Sequence, residues 1–410
     1  MAKGLKQIKL GFIGLGQRGH VLMETVLKIF SDVEVTAVCD TYADRVADLQ
    51  NIIEEARGMR PAGYVDAAEL LKDENVNTVV ISAAWEAHVP LAVASMEAGK
   101  ITALEVGGAY AIDDCWKLVN TYERTKTPFM FLENCCFGKY ELFATNMARK
   151  GLLGEVVHCH GAYCHDIRNE IASGVKIRHY RLRNYLNRNC ENYPTHELGP
   201  IAKLLNINRG NRMLSLVSMS SKARGLHQYV QDKEEFAFLK NATFRQGDVV
   251  ETLITCTDGT MISIKLDTSL PRPGTREFTV SGAKGFYSQI GNVLFLDEKE
   301  TEEKGLADCF QSATPYEETY MPKIWKEITP EEIEAGHGGM DTLLFRAFFN
   351  AIKAGDEMPI DVYDAASWMA ITCLSEASIA AGGAPVSIPD FTGGKWVMRE
   401  PKDVIDFDKE

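Results

Sequence analysis

A glycine-rich segment near the start of the chain constrains the fold more than any other feature. Gly14, Gly16 and Gly19 have the spacing G-x-G-x-x-G, and they join an apolar run, Ile8–Ile13, to a stretch with helical periodicity. Asp40 ends the next apolar run, about 20 residues beyond the last glycine. A strand, a glycine loop, a helix and an acidic residue in this order predict a dinucleotide-binding Rossmann unit.

Each residue of this segment has an expected task. Gly14 permits the tight turn, Gly16 lets the backbone approach a pyrophosphate, and Gly19 lets the helix pack closely on the strand. The free N–H groups at the start of the helix attract the phosphates. A carboxylate at Asp40 accepts hydrogen bonds from ribose hydroxyls and repels a 2′-phosphate, so the sequence favours NAD over NADP. Arg45 is the nearby cation that would oppose this preference.

The pattern of strands and helices changes at about residue 133. Up to that point short apolar strands alternate with helical stretches, which is typical of a parallel sheet covered on both faces. Later runs, such as Val249–Thr257 and Met261–Leu266 on either side of the turn Asp258–Gly259, suit antiparallel strands. We therefore expect an α/β Rossmann domain at residues 1–133. We expect an α+β domain with a large, mainly antiparallel sheet at residues 134–410. This domain binds substrate and mediates oligomerisation. As an alternative, its C-terminal segment packs back on the Rossmann domain.

Composition excludes several classes of partner. The chain has 410 residues, a net charge of −13 and no run rich in Lys and Arg, so neither nucleic acid nor an anionic membrane is an expected partner. No apolar run approaches the ~20 residues that cross a bilayer, and no secretion signal precedes the first strand. Ten scattered cysteines without a C-x-x-C pair indicate reduced thiols. We expect a cytoplasmic protein.

The segment His158–His160 holds two histidines around a cysteine, a combination that occurs in metal sites. Side chains alternate along a strand, so His158 and His160 face away from Cys159. Packing is therefore the favoured role of these side chains, and we predict no metal site.

A Rossmann domain followed by an α+β sheet domain resembles the Gfo/Idh/MocA superfamily of NAD(P)-dependent sugar and polyol oxidoreductases. The usual member has Glu-Lys-Pro after the strand where this chain has Glu105-Val106-Gly107, and the missing lysine lies near the nicotinamide and substrate. Further motifs resemble one branch, glycoside hydrolase family 109, whose best-known activity is NAD-dependent α-N-acetylgalactosaminidase. They run in order over nearly the whole chain: WEAH at Trp85–His88, EVGGAY at Glu105–Tyr110, ENCC at Glu133–Cys136, HGAYCHDIR at His160–Arg168, NYPTHELGP at Asn192–Pro200, NINRGNR at Asn206–Arg212, SMSS at Ser218–Ser221 and GHGGMD at Gly336–Asp341.

The resemblance implies a set of site residues and a homo-oligomer. The implied NAD contacts are Gln17, Arg18, Asp40, the segment Trp85–His88, Glu105, Val106 and Asn134. The implied catalytic and substrate-binding positions are Tyr163, Arg181, Tyr193 and His196. Oligomerisation through the large sheet is expected by analogy with the superfamily only.

The same resemblance implies a redox-neutral hydrolysis of a carbohydrate or glycoside. The sugar is oxidised at C3, the resulting ketone acidifies the C2 proton, and the group on C1 leaves by elimination; water then adds and the ketone is reduced again. We expect Tyr163 to remove the C2 proton and His196 to serve the oxidised hydroxyl. The imidazole of His196 has a pKa close to working pH, and a phenol acts as a base if a cation lowers its pKa. Tyr193 donates a hydrogen bond or acts as a base, and Arg181 either lowers a phenol pKa or binds a sugar hydroxyl.

The candidate residues also have structural alternatives. Glu133 and Asn134 follow the last predicted strand of the Rossmann domain, where ligands bind, but they also suit an anchor for the loop. His337 lies between glycines and is a candidate for substrate binding or a plain loop residue. For the catalytic candidates the alternatives are core packing for Tyr163 and helix capping for His196.

Three functions remain open from the sequence. The first is an NAD-dependent glycosidase, and the second is an NAD-dependent sugar or glycoside dehydrogenase that stops after oxidation at C3. The third is a non-catalytic NAD-binding sensor, which the missing lysine supports. The Tyr163, Arg181, Tyr193 and His196 set argues against a sensor, because a sensor needs no proton-transfer groups.

Overall fold

A computed structural model of the chain describes residues 4–297 and 311–407. Its contacts divide the chain into two compact units. Unit 1 comprises residues 1–134 and 327–366, and unit 2 comprises residues 135–326 and 367–410. Each unit therefore combines two separate stretches of sequence.

The elements are numbered here in chain order over the described residues. The strands are β1 Ile8–Ile13, β2 Val33–Cys39, β3 Ala62–Tyr64, β4 Thr78–Ile81, β5 Ile101–Leu104, β6 Phe129–Phe131, β7 Val156–Cys164, β8 Met213–Ser220, β9 Val249–Cys256, β10 Met261–Asp267, β11 Thr279–Gly282, β12 Gly285–Ser288, β13 Val293–Leu296, β14 Gln311–Ser312 and β15 Val386–Ser387. The helices are α1 Gln17–Ile29, α2 Ala43–Arg57, α3 Ala67–Lys72, α4 Trp85–Glu97, α5 Ile112–Thr125, α6 Lys139–Arg149, α7 Arg168–Ala172, α8 Arg181–Asn187, α9 Thr195–Leu204, α10 Gly225–Gln231, α11 Glu317–Tyr320, α12 Lys323–Lys326, α13 Pro330–Glu334, α14 Met340–Ala354 and α15 Val362–Ala380.

The sheet of unit 1 has six parallel strands in the order β3-β2-β1-β4-β5-β6. This is the strand order of a Rossmann fold, whose ligands bind beyond the carboxyl ends of the strands near the central crossover. Strands β4 and β6 are buried along their whole length, as the continuous apolar runs predict. The predicted Rossmann fold is confirmed.

Helix α4 corrects one boundary. The sequence predicts a short helix over Pro90–Ala98, ended by Gly99. In the structure the helix begins at Trp85 and Pro90 lies inside it. The WEAH motif is therefore helical, and this places Trp85 and His88 on the first turn of α4.

The sheet of unit 2 has nine strands in the order β14-β13-β12-β11-β7-β10-β9-β8-β15. Neighbouring strands are antiparallel except β7 and β10, which run parallel. The predicted large, mainly antiparallel sheet is confirmed. His158 and His160 on β7 both contact the Ser263 hydroxyl, at 3.0 and 2.9 Å, while Cys159 between them is buried.

Helix α9 packs on β7 along a face that requires glycine. All ten residues of α9 are buried. A Cβ atom on Gly161 of β7 would lie 2.6 Å from the backbone oxygen of Glu197 in the first turn of α9. The absence of a side chain at Gly161 lets the helix approach the strand, and this contact brings the start of α9 beside the end of β7.

None of the helices in residues 4–297 and 311–407 combines the length and the apolar character that crossing a membrane requires.

Candidate functional site

The glycine loop of unit 1 forms a tight cradle. Gly14 has φ +93°, and a Cβ atom there would lie 2.4 Å from the backbone nitrogen of Ala83. A Cβ atom on Gly19 would lie 2.1 Å from the Gly14 oxygen, to which the Ser82 hydroxyl also donates at 2.7 Å. Gly16, by contrast, has φ −69° and only Arg45 Nη1 within reach, 3.5 Å from a Cβ atom. The protein's own backbone therefore excludes a side chain at Gly14 and Gly19, whereas the space above Gly16 is open.

Asp40 closes the same loop at the end of β2. Its Oδ2 accepts from the Leu15 N–H at 2.7 Å, and its Oδ1 accepts from the Tyr42 N–H at 2.9 Å. Arg45 Nη1 lies 3.5 Å from Asp40 Oδ2, and its guanidinium carbon lies 4.9 Å from the centre of the Tyr42 ring. The nearby cation is thus engaged by Asp40 and Tyr42, which fits the preference for NAD.

Trp85 occupies the space that a side chain would need in the segment Glu105-Val106-Gly107. A Cβ atom on Gly107 would lie 2.5 Å from Cδ1 of the Trp85 indole. His88, one turn along α4, is buried and bonds through Nε2 to the Ala83 oxygen at 3.0 Å. Burial lowers the pKa of His88 to about 4. A neutral imidazole then donates from Nε2, and its Nδ1 has no hydrogen-bond partner among the described residues.

A buried carboxylate, Asp341, gathers several of the predicted cofactor residues of unit 1. Arg18 binds it with two prongs, Nη1 to Oδ2 at 2.6 Å and Nη2 to Oδ1 at 2.9 Å. The Asn134 amide donates to Oδ1 at 2.8 Å, and His337 Nδ1 lies 2.8 Å from Oδ2. Burial alone would raise the pKa of Asp341, but Arg18 and His337 outweigh burial and hold that pKa well below its usual range. Asp341 was not among the predicted site residues, although it ends the motif GHGGMD.

Glu105 lies on the other side of Arg18. Arg18 Nε is 3.4 Å from Glu105 Oε2, and Glu105 is almost fully buried. Burial raises the pKa of Glu105; Arg18 opposes that increase and Asp341 adds to it. Glu133, which follows β6, is fully buried as well. His337 has a half-exposed side chain and a positive φ of 42°, so its neighbouring glycines do accompany an unusual backbone turn.

In unit 2 the predicted catalytic residues lie together. The ring centres of Tyr163 and Tyr193 are 4.6 Å apart, and the His196 ring is 5.6 Å from Tyr163 and 4.8 Å from Tyr193. Tyr163 is the second-last residue of β7, and His196 is in the first turn of α9. All three rings are mostly buried. The sequence separation of Tyr163 from the other two is bridged by the packing of α9 on β7.

Two guanidinium groups flank these phenols. Arg181 lies 4.9 Å from the centre of the Tyr193 ring and pairs with Glu170 at 2.7 Å. Arg276 lies 4.9 Å from the centre of the Tyr163 ring. A guanidinium keeps its charge in proteins, so each phenol has a permanent positive charge beside it. Arg276 is a site residue that the sequence did not reveal, because it belongs to a loop without periodicity.

The neighbours of this cluster include local polar pairs. The His165 ring lies 6.3 Å from that of Tyr163, and the adjacent Asp166 is bonded to Arg168 at 2.7 Å. The Asp166 carboxylate therefore accepts hydrogen bonds from the Arg168 guanidinium. Burial lowers the pKa of His165, and the charge of Arg276 adds to this effect.

Two buried glutamates flank Tyr193 and His196 along the chain. The carboxyl groups of Glu191 and Glu197 adjoin each other inside unit 2, where both residues are almost completely inaccessible. Burial raises the pKa of Glu191 to about 8. Burial and the charge of Glu191 raise the pKa of Glu197 well above its usual range. At neutral pH the pair therefore holds a proton.

Replacing Glu191 by Gln is expected to remove a loss of stability that the wild type shows as the pH rises from about 5 to about 8. The pKa of Glu191 in the folded state, about 8, exceeds the ordinary value of 4.5. Its favourable contribution is therefore complete below pH ~4.5 and is lost as the pH rises through ~8, at up to roughly 1.4 kcal/mol per pH unit. Because Gln does not titrate, the melting temperature of Glu191→Gln relative to the wild type should rise between pH ~5 and ~8.

Thermal unfolding of both proteins across this range checks that expectation. Glu234→Gln is the matched control, because the Glu234 side chain is 92% exposed. The difference in melting temperature between this control and the wild type should not change with pH. A melting difference for Glu191→Gln that stays constant with pH would show that Glu191 titrates normally.

Comparisons with known proteins match both parts of the chain. A family profile described as "Oxidoreductase family, NAD-binding Rossmann fold" matches residues 8–131. A second profile, "Glycosyl hydrolase 109, C-terminal domain", matches residues 137–398. The chain belongs to glycoside hydrolase family 109.

Individual relatives cover nearly the whole chain. A "Glycosyl hydrolase family 109 protein" of Solibacter usitatus is 38% identical over 96% of this chain and 90% of its own length. An "Alpha-N-acetylgalactosaminidase" of Tannerella forsythia is 35% identical over 96% of this chain and 88% of its own length. A solved levoglucosan dehydrogenase, in complex with NADH and levoglucosan, has the same fold with TM-score 0.68 at 18% identity, covering 94% of this chain and 100% of its own.

Family membership makes the chain an NAD-dependent enzyme of the Gfo/Idh/MocA type, and unit 1 fits that cofactor. The cradle at Gly14 and Gly19 leaves only Gly16 open to a close ligand, as a pyrophosphate requires. Asn134 is buried, and its Oδ1 has no hydrogen-bond partner within the described residues. An unsatisfied buried acceptor is costly, and a donor on a bound ligand would satisfy it.

Proposed function

We propose that this member of family 109 hydrolyses a glycoside by transient oxidation of the sugar at C3, elimination across C1 and C2, addition of water and reduction of the ketone. The observation that carries the proposal is the cluster of Tyr163, Tyr193 and His196 with Arg181 and Arg276 beside the phenols. Ordinary glycosidases instead use two carboxylates about the scissile bond. The cluster offers proton-transfer groups of the kind that an elimination needs.

Unit 1 supplies the cofactor site in this proposal. Gly14, Gly16 and Gly19 shape the pyrophosphate loop, Asp40 binds the adenosine ribose, and the other contacts come from Gln17, Arg18, Trp85, His88, Glu105, Val106 and Asn134. When bound there, NAD would supply the hydride acceptor for oxidation at C3 and, once reduced, the hydride donor for the final reduction, so the overall reaction would consume no external oxidant.

Tyr163 is proposed to remove the C2 proton of the oxidised sugar. The ketone at C3 makes that proton acidic, and the leaving group on C1 departs as the C1–C2 double bond forms. The phenol must carry negative charge when it acts as a base. The Arg276 guanidinium, 4.9 Å from the ring centre, stabilises that charge in a buried setting. Reprotonation at C2 by the same phenol follows the addition of water at C1.

His196 and Tyr193 are proposed to serve the C3 oxygen and the sugar. An imidazole accepts the hydroxyl proton as the ketone forms and returns it when the ketone is reduced. Tyr193 and Arg181 hold sugar hydroxyls, with Arg181 fixed by Glu170. Glu133 and His337 stay predictions as substrate-binding residues.

The substrate proposed first is an α-linked N-acetylgalactosaminide, because a relative at 35% identity carries that activity in its name. We also propose that the chain acts as a homo-oligomer in the cytoplasm. The exposed apolar side chains of Met219, Leu253 and Met261 on three strands of the large sheet support an interface there. Light scattering after gel filtration gives the subunit number.

A panel of nitrophenyl α- and β-glycosides distinguishes the candidate functions. A glycosidase releases nitrophenol over many turnovers while NADH absorbance stays below one equivalent of enzyme. A dehydrogenase that stops after oxidation accumulates NADH in proportion to the sugar and releases no nitrophenol. A protein that binds NAD but does neither would be a sensor, and the proposed hydrolysis would then be wrong.

A further inference from the structure

Asp341 occupies a position from which it can orient the cofactor residues without binding the cofactor. A carboxylate has about four lone-pair positions. Here four side-chain nitrogen atoms lie within hydrogen-bond distance of its oxygens: two from Arg18, one from Asn134 and one from His337. His337 Nδ1 also lies 2.9 Å from Arg18 Nη1, so it contacts both members of the Arg18–Asp341 pair. Asp341 is fully buried and keeps no acceptor for a ligand.

The contacts fix two side chains that come from separate parts of unit 1. Arg18 is in the first turn of α1, directly after the glycine loop, and Asn134 follows β6. The two-pronged bond sets the plane of the Arg18 guanidinium. The bond from Asn134 Nδ2 sets the direction of its amide, so that Oδ1 is the atom left for a ligand.

We propose that Asp341 is a positioning residue for NAD. It holds the Arg18 guanidinium in one plane and makes Asn134 present an acceptor, so that a donor on the nicotinamide half of NAD is recognised. The inference rests on the proposed assignment of Arg18 and Asn134 to the cofactor. Asp341 thereby gives the GHGGMD motif a role in cofactor binding, although the motif lies more than 300 residues from Arg18 in the chain.

Asp341→Asn is the direct test. It keeps the shape, but it removes the charge and places an NH₂ group among donors. The affinity for NAD, measured by calorimetry, should fall at least about tenfold, since one end of a buried, charged bond is lost. Affinity for AMP, measured by ligand-observed NMR, should stay within about twofold, because the adenosine end is assigned to Asp40.

Asp361→Asn is the control variant. Asp361 is a buried carboxylate of unit 1 that accepts the Tyr363 N–H at 2.9 Å. Its replacement should lower thermal stability without changing NAD affinity.

A mutant cycle separates positioning from general damage. If Asp341 acts through Arg18 and Asn134, adding Asp341→Asn to a variant that already carries Arg18→Met and Asn134→Ala should weaken NAD binding by no more than about threefold further. If the losses of NAD affinity were independent, they would multiply in full, and this result would overturn the proposal. If Asp341→Asn does not fold, Arg18→Lys serves instead: Arg18 is about a quarter exposed, and lysine keeps the charge without the two-pronged bond. An unchanged NAD affinity in Arg18→Lys would contradict the proposal.

The outcomes also separate this inference from the cofactor assignment. If Arg18→Met binds NAD as tightly as the wild type, the assignment of Arg18 to the cofactor is wrong. If Arg18→Met binds weakly but Asp341→Asn binds normally, only the role of Asp341 is wrong. Neither result depends on the glycoside that the enzyme hydrolyses.

Discussion

Tyr163→Phe is expected to lower the turnover of a glycoside by about 10²–10⁴-fold while leaving NAD affinity unchanged. Phenylalanine keeps the ring, so its contacts with Tyr193 and His196 at 4.6 and 5.6 Å remain. The variant loses only the hydroxyl that takes and returns the C2 proton. Steady-state release of nitrophenol measures the loss, and calorimetry measures NAD binding.

A single-turnover experiment adds a sharper criterion. If Tyr163 acts at C2, the variant should still oxidise the sugar, so NADH absorbance should appear without release of the leaving group. Tyr229→Phe is the matched control, because Tyr229 has a guanidinium, that of Arg168, 4.9 Å from its ring centre and bonds only weakly to Asn169 at 3.3 Å on the surface. The control should retain normal turnover. Normal turnover in Tyr163→Phe would exclude the phenol as the base.

Gly16→Ala and Gly19→Ala should fail in different ways. At Gly16 the backbone conformation suits alanine, and the nearest atom to a Cβ is 3.5 Å away. The variant should keep wild-type thermal stability but lose at least about tenfold in NAD affinity, because the methyl group lies where the pyrophosphate approaches. At Gly19 the Cβ atom would lie 2.1 Å from a backbone oxygen. That variant should lose about 1–3 kcal/mol of folding stability even without NAD.

Thermal unfolding with and without NAD distinguishes the two. The stabilisation that saturating NAD gives the wild type should be much smaller in Gly16→Ala, since the shift depends on affinity. Gly19→Ala should unfold at a lower temperature under both conditions. Equal behaviour of the two variants would mean that the open space above Gly16 is not a phosphate site.

The sequence predicts unit 1 well because its signals are local. The glycine loop, the alternation of strands and helices, and Asp40 all lie within short stretches whose spacing has a physical meaning. The α4 boundary was wrong because Pro90 is favoured at a helix start and here lies inside the helix. Helix α14 shows a clear helical pattern, but periodicity does not reveal that it belongs to unit 1.

The catalytic candidates came from a resemblance, and the structure adds residues to which the sequence alone assigns no role. Arg276 stands in an irregular loop, and its place beside Tyr163 depends on a contact across more than 100 residues. Nothing in the sequence distinguishes Asp341, Glu191 and Glu197 from other acidic residues. Only the folded chain shows that they are buried and which charges they meet.

Hydrolysis in D₂O tests the central claim most directly. The enzyme, NAD and a nitrophenyl glycoside that it accepts are incubated in D₂O, and the released sugar is analysed by NMR and mass spectrometry. Removal and return of the C2 proton predict deuterium at C2 of the product. Sugar released with hydrogen at C2 and no deuterium there would contradict elimination and, with it, the role proposed for Tyr163.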